Sequence, residues 1–110
     1  MSTAPAHATS NDPVLEAVSF RLMPGTDVAA FRDAAAKTEA SLRARGSLVR
    51  RLLSRNASGG WSDVIEWTSM DDALAAAEAV MQDPAFALFG TMIDPDTVQM
   101  RHAPILWRME

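Results

Sequence analysis

The chain has 110 residues, the size of one domain, and a net charge of −4. This acidity argues against nucleic acid and anionic membrane surfaces as partners, because both attract clustered cations. There is no cysteine, which excludes disulfides, thiolate catalysis and cysteine-ligated metals. No apolar run approaches the ~18–20 residues of a membrane span, and no secretory signal is recognisable. We therefore expect a cytoplasmic protein.

Two segments are predicted from the changes in composition along the chain. Residues 1–12, rich in Ser, Thr, Ala and Asn, are expected to form a disordered tail. Residues 13–110 are expected to form a single domain. Apolar residues alternate over about Val14–Met23, which predicts the first strand of that domain, and a Pro-Gly pair ends it.

A helix and a hairpin follow the first strand. A cap at Thr26 or Asp27 predicts a helix over about Val28–Arg45, because short polar side chains accept hydrogen bonds from the first free N–H groups of a helix. A strand with apolar residues on both faces is predicted over about Leu48–Arg55, and a second strand over about Trp61–Thr68. The Asn- and Gly-containing loop between these strands is typical of a hairpin.

The last part of the chain repeats the order helix, then strand. Ser69 is expected to cap a helix over about Met70–Gln82, and an Asp-Pro pair opens a short helix over about Ala85–Met92. A final strand is predicted over about Thr97–Met109. Pro104 has no N–H to donate, so this strand should lie at an edge of the sheet or carry a bulge.

The element order predicts a ferredoxin-like βαββαβ sandwich of the α+β class: a four-stranded antiparallel sheet with helices on one face. The first two strands and the end of the last one carry apolar residues on both faces. Helices on one face would leave a large apolar patch exposed on the other, and such patches are typical of interfaces. We therefore expect a homodimer that packs sheet to sheet into an α/β barrel.

Several short motifs resemble those of the dimeric α/β-barrel superfamily, and within it the antibiotic biosynthesis monooxygenase-like domains. They are the stretch from Asp63 to Ala73, in which Trp67 is followed by Thr68 and Ser69, the segment Asp83-Pro84-Ala85-Phe86, and the Pro24-Gly25 turn. The resemblance implies a dimer of ferredoxin-like subunits, each with a pocket between its sheet and helices. Some members are cofactor-free oxygenases of aromatic polyketides, and others degrade haem.

The chain departs from the pattern of those members at one informative position. They often carry a histidine about eight residues after the helix-opening serine, where this chain has Ala77, and the chain contains no tyrosine. The resemblance therefore does not imply haem here, and we expect no bound cofactor.

His102 is the candidate catalytic residue, because it is the one histidine outside the tail and an imidazole can exchange protons near neutral pH. The alternative is a hydrogen-bonded histidine of the core or an interface. No metal site is predicted, because the other histidine, His7, lies in the tail. Glu16, on a strand expected to be central, requires a buried partner.

A pocket is predicted from side chains that share a face or cluster at helical spacing. Arg50 and Arg51 point to opposite faces, so one of them should lie on a largely buried face or at its rim. An inward arginine would bind a carboxylate or pair with Glu16, Glu66 or Asp63; the alternative is an ordinary charge of an edge strand. The alternative for the pocket residues is that the aromatic ones simply fill the core. The candidate pocket residues are Trp61, Asp63, Trp67, Arg50, Phe86 and Phe89.

Two functions are consistent with these features. The first is a monooxygenase-like enzyme that acts on a small organic, aromatic substrate without metal or cofactor. The second is a non-catalytic small-molecule-binding or structural dimerisation module.

Overall fold

The computed structural model describes residues 12–109, so the predicted tail lies outside the described residues apart from Asp12. Within this part of the chain, the strands form one antiparallel sheet in the order β2-β3-β1-β4. This confirms the predicted ferredoxin-like α+β fold. The elements are β1 (Val14–Phe20), α1 (Val28–Lys37), α2 (Glu39–Ala44), β2 (Leu48–Arg55), β3 (Trp61–Trp67), α3 (Met70–Val80), α4 (Pro84–Thr91), a 3-10 turn (Pro95–Thr97) and β4 (Gln99–Pro104).

The helix starts follow the capping residues. Asp27 accepts a hydrogen bond from the Ala30 N–H at 3.0 Å, and Ser69 accepts one from the Asp72 N–H at 3.1 Å. Both side chains satisfy donors that would otherwise lack a partner at a helix N-terminus. They therefore fix where α1 and α3 begin on the sheet.

The first predicted helix is interrupted at Thr38, which separates α1 from α2. Thr38 is fully buried, and its hydroxyl donates to the Ala35 carbonyl oxygen at 2.6 Å. The same hydroxyl accepts a hydrogen bond from Arg51 at 2.7 Å. A hydroxyl that donates to a carbonyl of the preceding helical turn often bends a helix. Here the hydrogen bond from Arg51 also connects this bend to β2.

The last strand is shorter than predicted and covers Gln99–Pro104 rather than Thr97–Met109. At its start, the 3-10 turn places the Thr97 hydroxyl against the Arg21 N–H at 2.8 Å. Pro104 is its last residue and lies opposite Val14, and beyond it the Ile105 N–H still donates to the Pro13 carbonyl oxygen at 2.9 Å. The chain that follows is exposed at Leu106 and Trp107. The prediction that β4 is an edge strand is confirmed.

Two apolar clusters fill the space between the sheet and the helices. Trp67 lies at the centre of one and Phe31 at the centre of the other, and both side chains are fully buried. The Phe31 ring meets the Trp61 ring edge-on at a centroid distance of 4.9 Å and stacks on Phe89 at 4.9 Å. These contacts hold α1 and α4 together above the sheet.

The opposite face of the sheet carries exposed apolar side chains. Leu15 on β1 is 38% exposed and Leu52 on β2 is 63% exposed. Both alternate with side chains that face the helices, as the strand period requires. Within residues 12–109, none of the helices combines the length and apolar character needed to cross a membrane.

Candidate functional site

A cavity of about 280 Å³ lies between the helix-facing side of the sheet and the junction of α3 with α4. Two carboxylates, from Glu16 and Asp63, interrupt an otherwise apolar wall. A mainly apolar space with a few placed polar groups is the usual form of a small-molecule site. The apolar wall is formed by Val18, Leu42, Ile65, Trp67, Ala76, Ala77, Val80, Met81, Phe86, Phe89 and Met100.

Glu16 reaches the cavity from the central strand β1 and is held by two neighbours. Its Oε1 accepts a hydrogen bond from the Trp67 indole N–H at 3.2 Å and lies 3.1 Å from His102 Nε2. The Glu16 and His102 side chains are only 10% and 18% exposed. Both contacts use Oε1, and no other described residue hydrogen-bonds Oε2. Oε1 is therefore fixed by two contacts, and Oε2 is the oxygen left for a further partner.

The register of the sheet brings Glu16 and His102 together. Glu16 is paired with His102 across β1 and β4 and with Ile65 across β1 and β3. Directly opposite residues on one face lie close enough for their side chains to touch. His102 is not among the cavity-lining residues, and it contacts the site through Glu16.

A second polar group borders the cavity, formed by Asp63 on β3 and Arg51 on β2. Arg51 donates two hydrogen bonds to the Asp63 carboxylate, at 2.9 and 2.8 Å. Its guanidinium also lies 5.6 Å from the centre of the Phe89 ring. This bidentate pair satisfies both carboxylate oxygens of Asp63, so Glu16 is the carboxylate with more capacity for a ligand.

Arg51, rather than Arg50, is the arginine that lies inward. The register between β2 and β3 shifts after Leu48, so Arg50 is paired with Glu66 and Arg51 with Ile65. Such a bulge reverses the direction of every later side chain. Arg50 therefore lies away from the cavity and contacts Glu66 at 3.6 Å.

The predicted aromatic residues divide between the cavity and the core. Trp67, Phe86 and Phe89 line the cavity. Trp61 does not; it is buried against Phe31 in the second cluster. Ala77 also lines the cavity, so its small side chain leaves this space open.

Asp83 caps the N-terminus of α4. This helix contributes Phe86 and Phe89 to the cavity wall. The Ser41 hydroxyl and the Ala85 N–H, the latter at 2.8 Å, donate to the Asp83 carboxylate. These two hydrogen bonds, chiefly that from Ser41, lower the pKa of Asp83 because they favour the ionised form.

Two features of the site were not evident from the sequence. Glu16 was recognised as a charge in need of a partner, but its position in the cavity depends on strand register. Arg50 and Arg51 are equivalent in the sequence as candidates for the inward arginine, and only the bulge after Leu48 decides between them.

Over residues 12–109, no group of three His, Asp or Glu side chains is arranged to hold a metal ion.

Comparison with known proteins identifies structural relatives. No protein-family model and no curated protein matches the sequence. A solved structure named "putative antibiotic biosynthesis monooxygenase", from Bordetella bronchiseptica, aligns with a TM-score of 0.73 at 16% identity, over 87% of this chain and 99% of that one.

Two further structures have the same arrangement. SnoaB, a cofactor-independent oxygenase from Streptomyces nogalater, aligns with a TM-score of 0.61 at 21% identity over 90% of this chain and 96% of its own. A dimeric ferredoxin-like protein from an uncultured marine organism aligns with a TM-score of 0.68 at 11% identity, over 92% and 94%. At these identities the likeness establishes fold and not activity. The chain thus has the ferredoxin-like fold of the antibiotic biosynthesis monooxygenase-like proteins.

Proposed function

We propose that the cavity is the active site of a monooxygenase-like enzyme that acts on a small organic molecule with an aromatic body, without a metal or bound cofactor. The observation that carries this proposal is the contact of 3.1 Å between His102 and Glu16 at an apolar cavity. A carboxylate beside an imidazole can accept and return a proton. The fold of the oxygenase SnoaB supports the same reading.

In this proposal Glu16 and His102 act as one acid–base pair. Glu16 accepts the substrate proton at Oε2, and His102 with the Trp67 indole holds the carboxylate in place through Oε1. Removal of a proton from an activated C–H would leave an electron-rich carbanion that forms a C–O bond with O₂. The proton held by the pair would return to the resulting peroxide, and loss of one water would cleave the O–O bond and leave a carbonyl group on the oxidised carbon. The apolar walls contributed by Phe86 and Phe89 would exclude water.

A second candidate is a non-catalytic small-molecule binder. It is favoured by the pairing of Asp63 with Arg51, which leaves Glu16 as the one carboxylate of the cavity without a full set of partners. A binding protein needs no more than this to orient a ligand.

Glu16→Gln separates the two functions. Hydroxylated naphthalenes would first be screened by thermal shift, and every binder would then be tested for O₂ consumption. The enzyme predicts O₂ uptake that falls about 100-fold or more in Glu16→Gln while binding is kept, because general-base catalysis contributes about 10²–10⁴-fold. The binder predicts no O₂ uptake and a change in affinity alone.

We further propose that the protein works as a cytoplasmic homodimer, with the outer faces of two sheets packed together. The exposed Leu15 and Leu52 on this face support it, as does the dimeric ferredoxin-like relative. Exposed apolar patches of this kind typically become buried in an interface.

Light scattering after gel filtration tests the dimer. The wild type should show twice the mass of the chain, and Leu52→Lys should yield a monomer. Leu74→Lys on α3 is the matched control, since Leu74 is 51% exposed but lies in the helix layer. A monomeric wild type would refute the dimer while leaving the cavity proposal intact.

A further inference from the structure

A second concave surface lies on the other side of Leu42, between α1, α2 and the edge strand β2. It has a volume of about 330 Å³, and we call it the arginine groove because Arg32, Arg43, Arg50 and Arg51 border it. These are four of the ten Lys and Arg residues of a chain whose net charge is −4. The remaining border consists of Ala35, Ala36, Glu39, Leu42, Leu48, Val49 and Leu53.

Carboxylates balance most of the positive charge of the arginine groove. Arg43 is paired with Glu39 at 2.6 Å, and Arg50 contacts Glu66 at 3.6 Å. Glu66 is shared, because Arg108 also donates to it.

The other two arginines of the arginine groove are Arg51 and Arg32. Arg51 is bound by Asp63, whereas Arg32 forms no ion pair within residues 12–109. Of the four arginines, Arg32 is therefore the one without an ion pair in the part of the chain that the structure describes, and it lies on the exposed side of α1.

The floor of the arginine groove is apolar. Leu42 and Ala35 are buried there, and Leu53 and Leu48 from β2 continue the same surface. Guanidinium groups bind carboxylates in a planar, bidentate manner and also stack on flat apolar bodies. An apolar floor with arginines at its rim thus suits a ligand that has an apolar body and an anionic end.

We propose that the arginine groove is a second binding site, for an organic carboxylate with a flat apolar body, and that Arg32 anchors its carboxylate. The cavity on the other side of Leu42 would exclude such a ligand, because its own polar lining groups are the carboxylates of Glu16 and Asp63. The two surfaces thus select ligands of opposite character.

The probe for this site is 2-naphthoate, compared with the neutral 2-naphthalenemethanol, by isothermal titration calorimetry with the full chain. Wild type should bind the anion about fivefold more tightly than the alcohol, the size of one exposed charge interaction. Added NaCl should weaken the binding of the anion, because salt screens exposed charges.

Three variants locate the site. Arg32→Gln should weaken 2-naphthoate binding about fivefold, again the size of one exposed charge interaction. Arg55→Gln, which removes the same charge from an exposed position on β2 outside the groove, should bind as wild type does. Ala77→Leu, which fills the cavity, should also leave the binding of 2-naphthoate unchanged. Melting curves would show that each variant is folded.

Either of two results would overturn the proposal. Equal affinity of Arg32→Gln and wild type would show that no carboxylate is anchored there. Loss of 2-naphthoate binding in a folded Ala77→Leu variant would place the anion in the cavity. Neither result bears on O₂ uptake or on Glu16→Gln, so the proposed function is tested separately.

Discussion

Replacing Asp63 with Leu would leave the Arg51 guanidinium without its carboxylate in a largely buried position. The Asp63 side chain is 9% exposed and that of Arg51 is 14% exposed, so water cannot fully replace the lost contacts. Two charge-assisted hydrogen bonds, of about 1.5–3 kcal/mol each, are removed. We expect the free energy of unfolding to fall by about 3–5 kcal/mol, as when one partner of a buried pair is removed.

The double variant Arg51→Met/Asp63→Leu should be much more stable than Asp63→Leu, because it removes both charges and keeps apolar volume. Urea denaturation followed by tryptophan fluorescence, at one protein concentration for all variants, measures these differences. Asp33→Leu on the exposed side of α1 is the surface control and should change stability by about 0.5 kcal/mol or less. A loss below about 1 kcal/mol in Asp63→Leu, or no recovery in the double variant, would refute the reasoning.

Three further predictions concern the supports of the site. Trp67→Phe removes the indole N–H that Glu16 accepts and should cost about 1–3 kcal/mol in urea denaturation; an unchanged midpoint would contradict it. Because the folded pKa of Asp83 lies below its ordinary value of 3.8, its stabilising contribution is present above that value and is lost as pH falls through the folded pKa. Asp83→Asn should therefore lose less stability than wild type between about pH 4 and pH 2, and equal losses would count against the Ser41 contact. Gly46 lies in the turn between α2 and β2 and has a φ of +75°. Gly46→Ala should therefore lower the free energy of unfolding by about 1–2 kcal/mol, whereas an unaffected melting temperature would show that this turn relaxes.

Most strands and helix starts could be predicted from local signals. The bounds of β2 were predicted correctly to the residue, and the short polar residues Asp27 and Ser69 predicted where α1 and α3 begin. The end of β4 could not be predicted in this way, because Trp107 and Met109 continue the alternation beyond the last residue of the strand.

The site depends on contacts that are distant in sequence. The break at Thr38 is fixed by a hydrogen bond from Arg51, which local helix periodicity does not contain. The pairing of Glu16 with His102 depends on the register of β1 against β4. One unpaired residue after Leu48 decides that Arg51 lies inward, and nothing in the composition of β2 predicts where that bulge occurs.

The central claim is that the cavity beside Glu16 binds a small molecule. It is tested most directly by measuring the affinity of 1-naphthol, a small neutral aromatic probe, for three forms of the protein. Ala77→Leu, which extends into the cavity from α3, should weaken binding by about tenfold or more, the loss expected when a bulky side chain displaces a ligand from an apolar pocket. Ala75→Leu, at an exposed position on the same helix, should bind as wild type does. Equal affinity of all three folded forms would contradict a ligand site in this cavity.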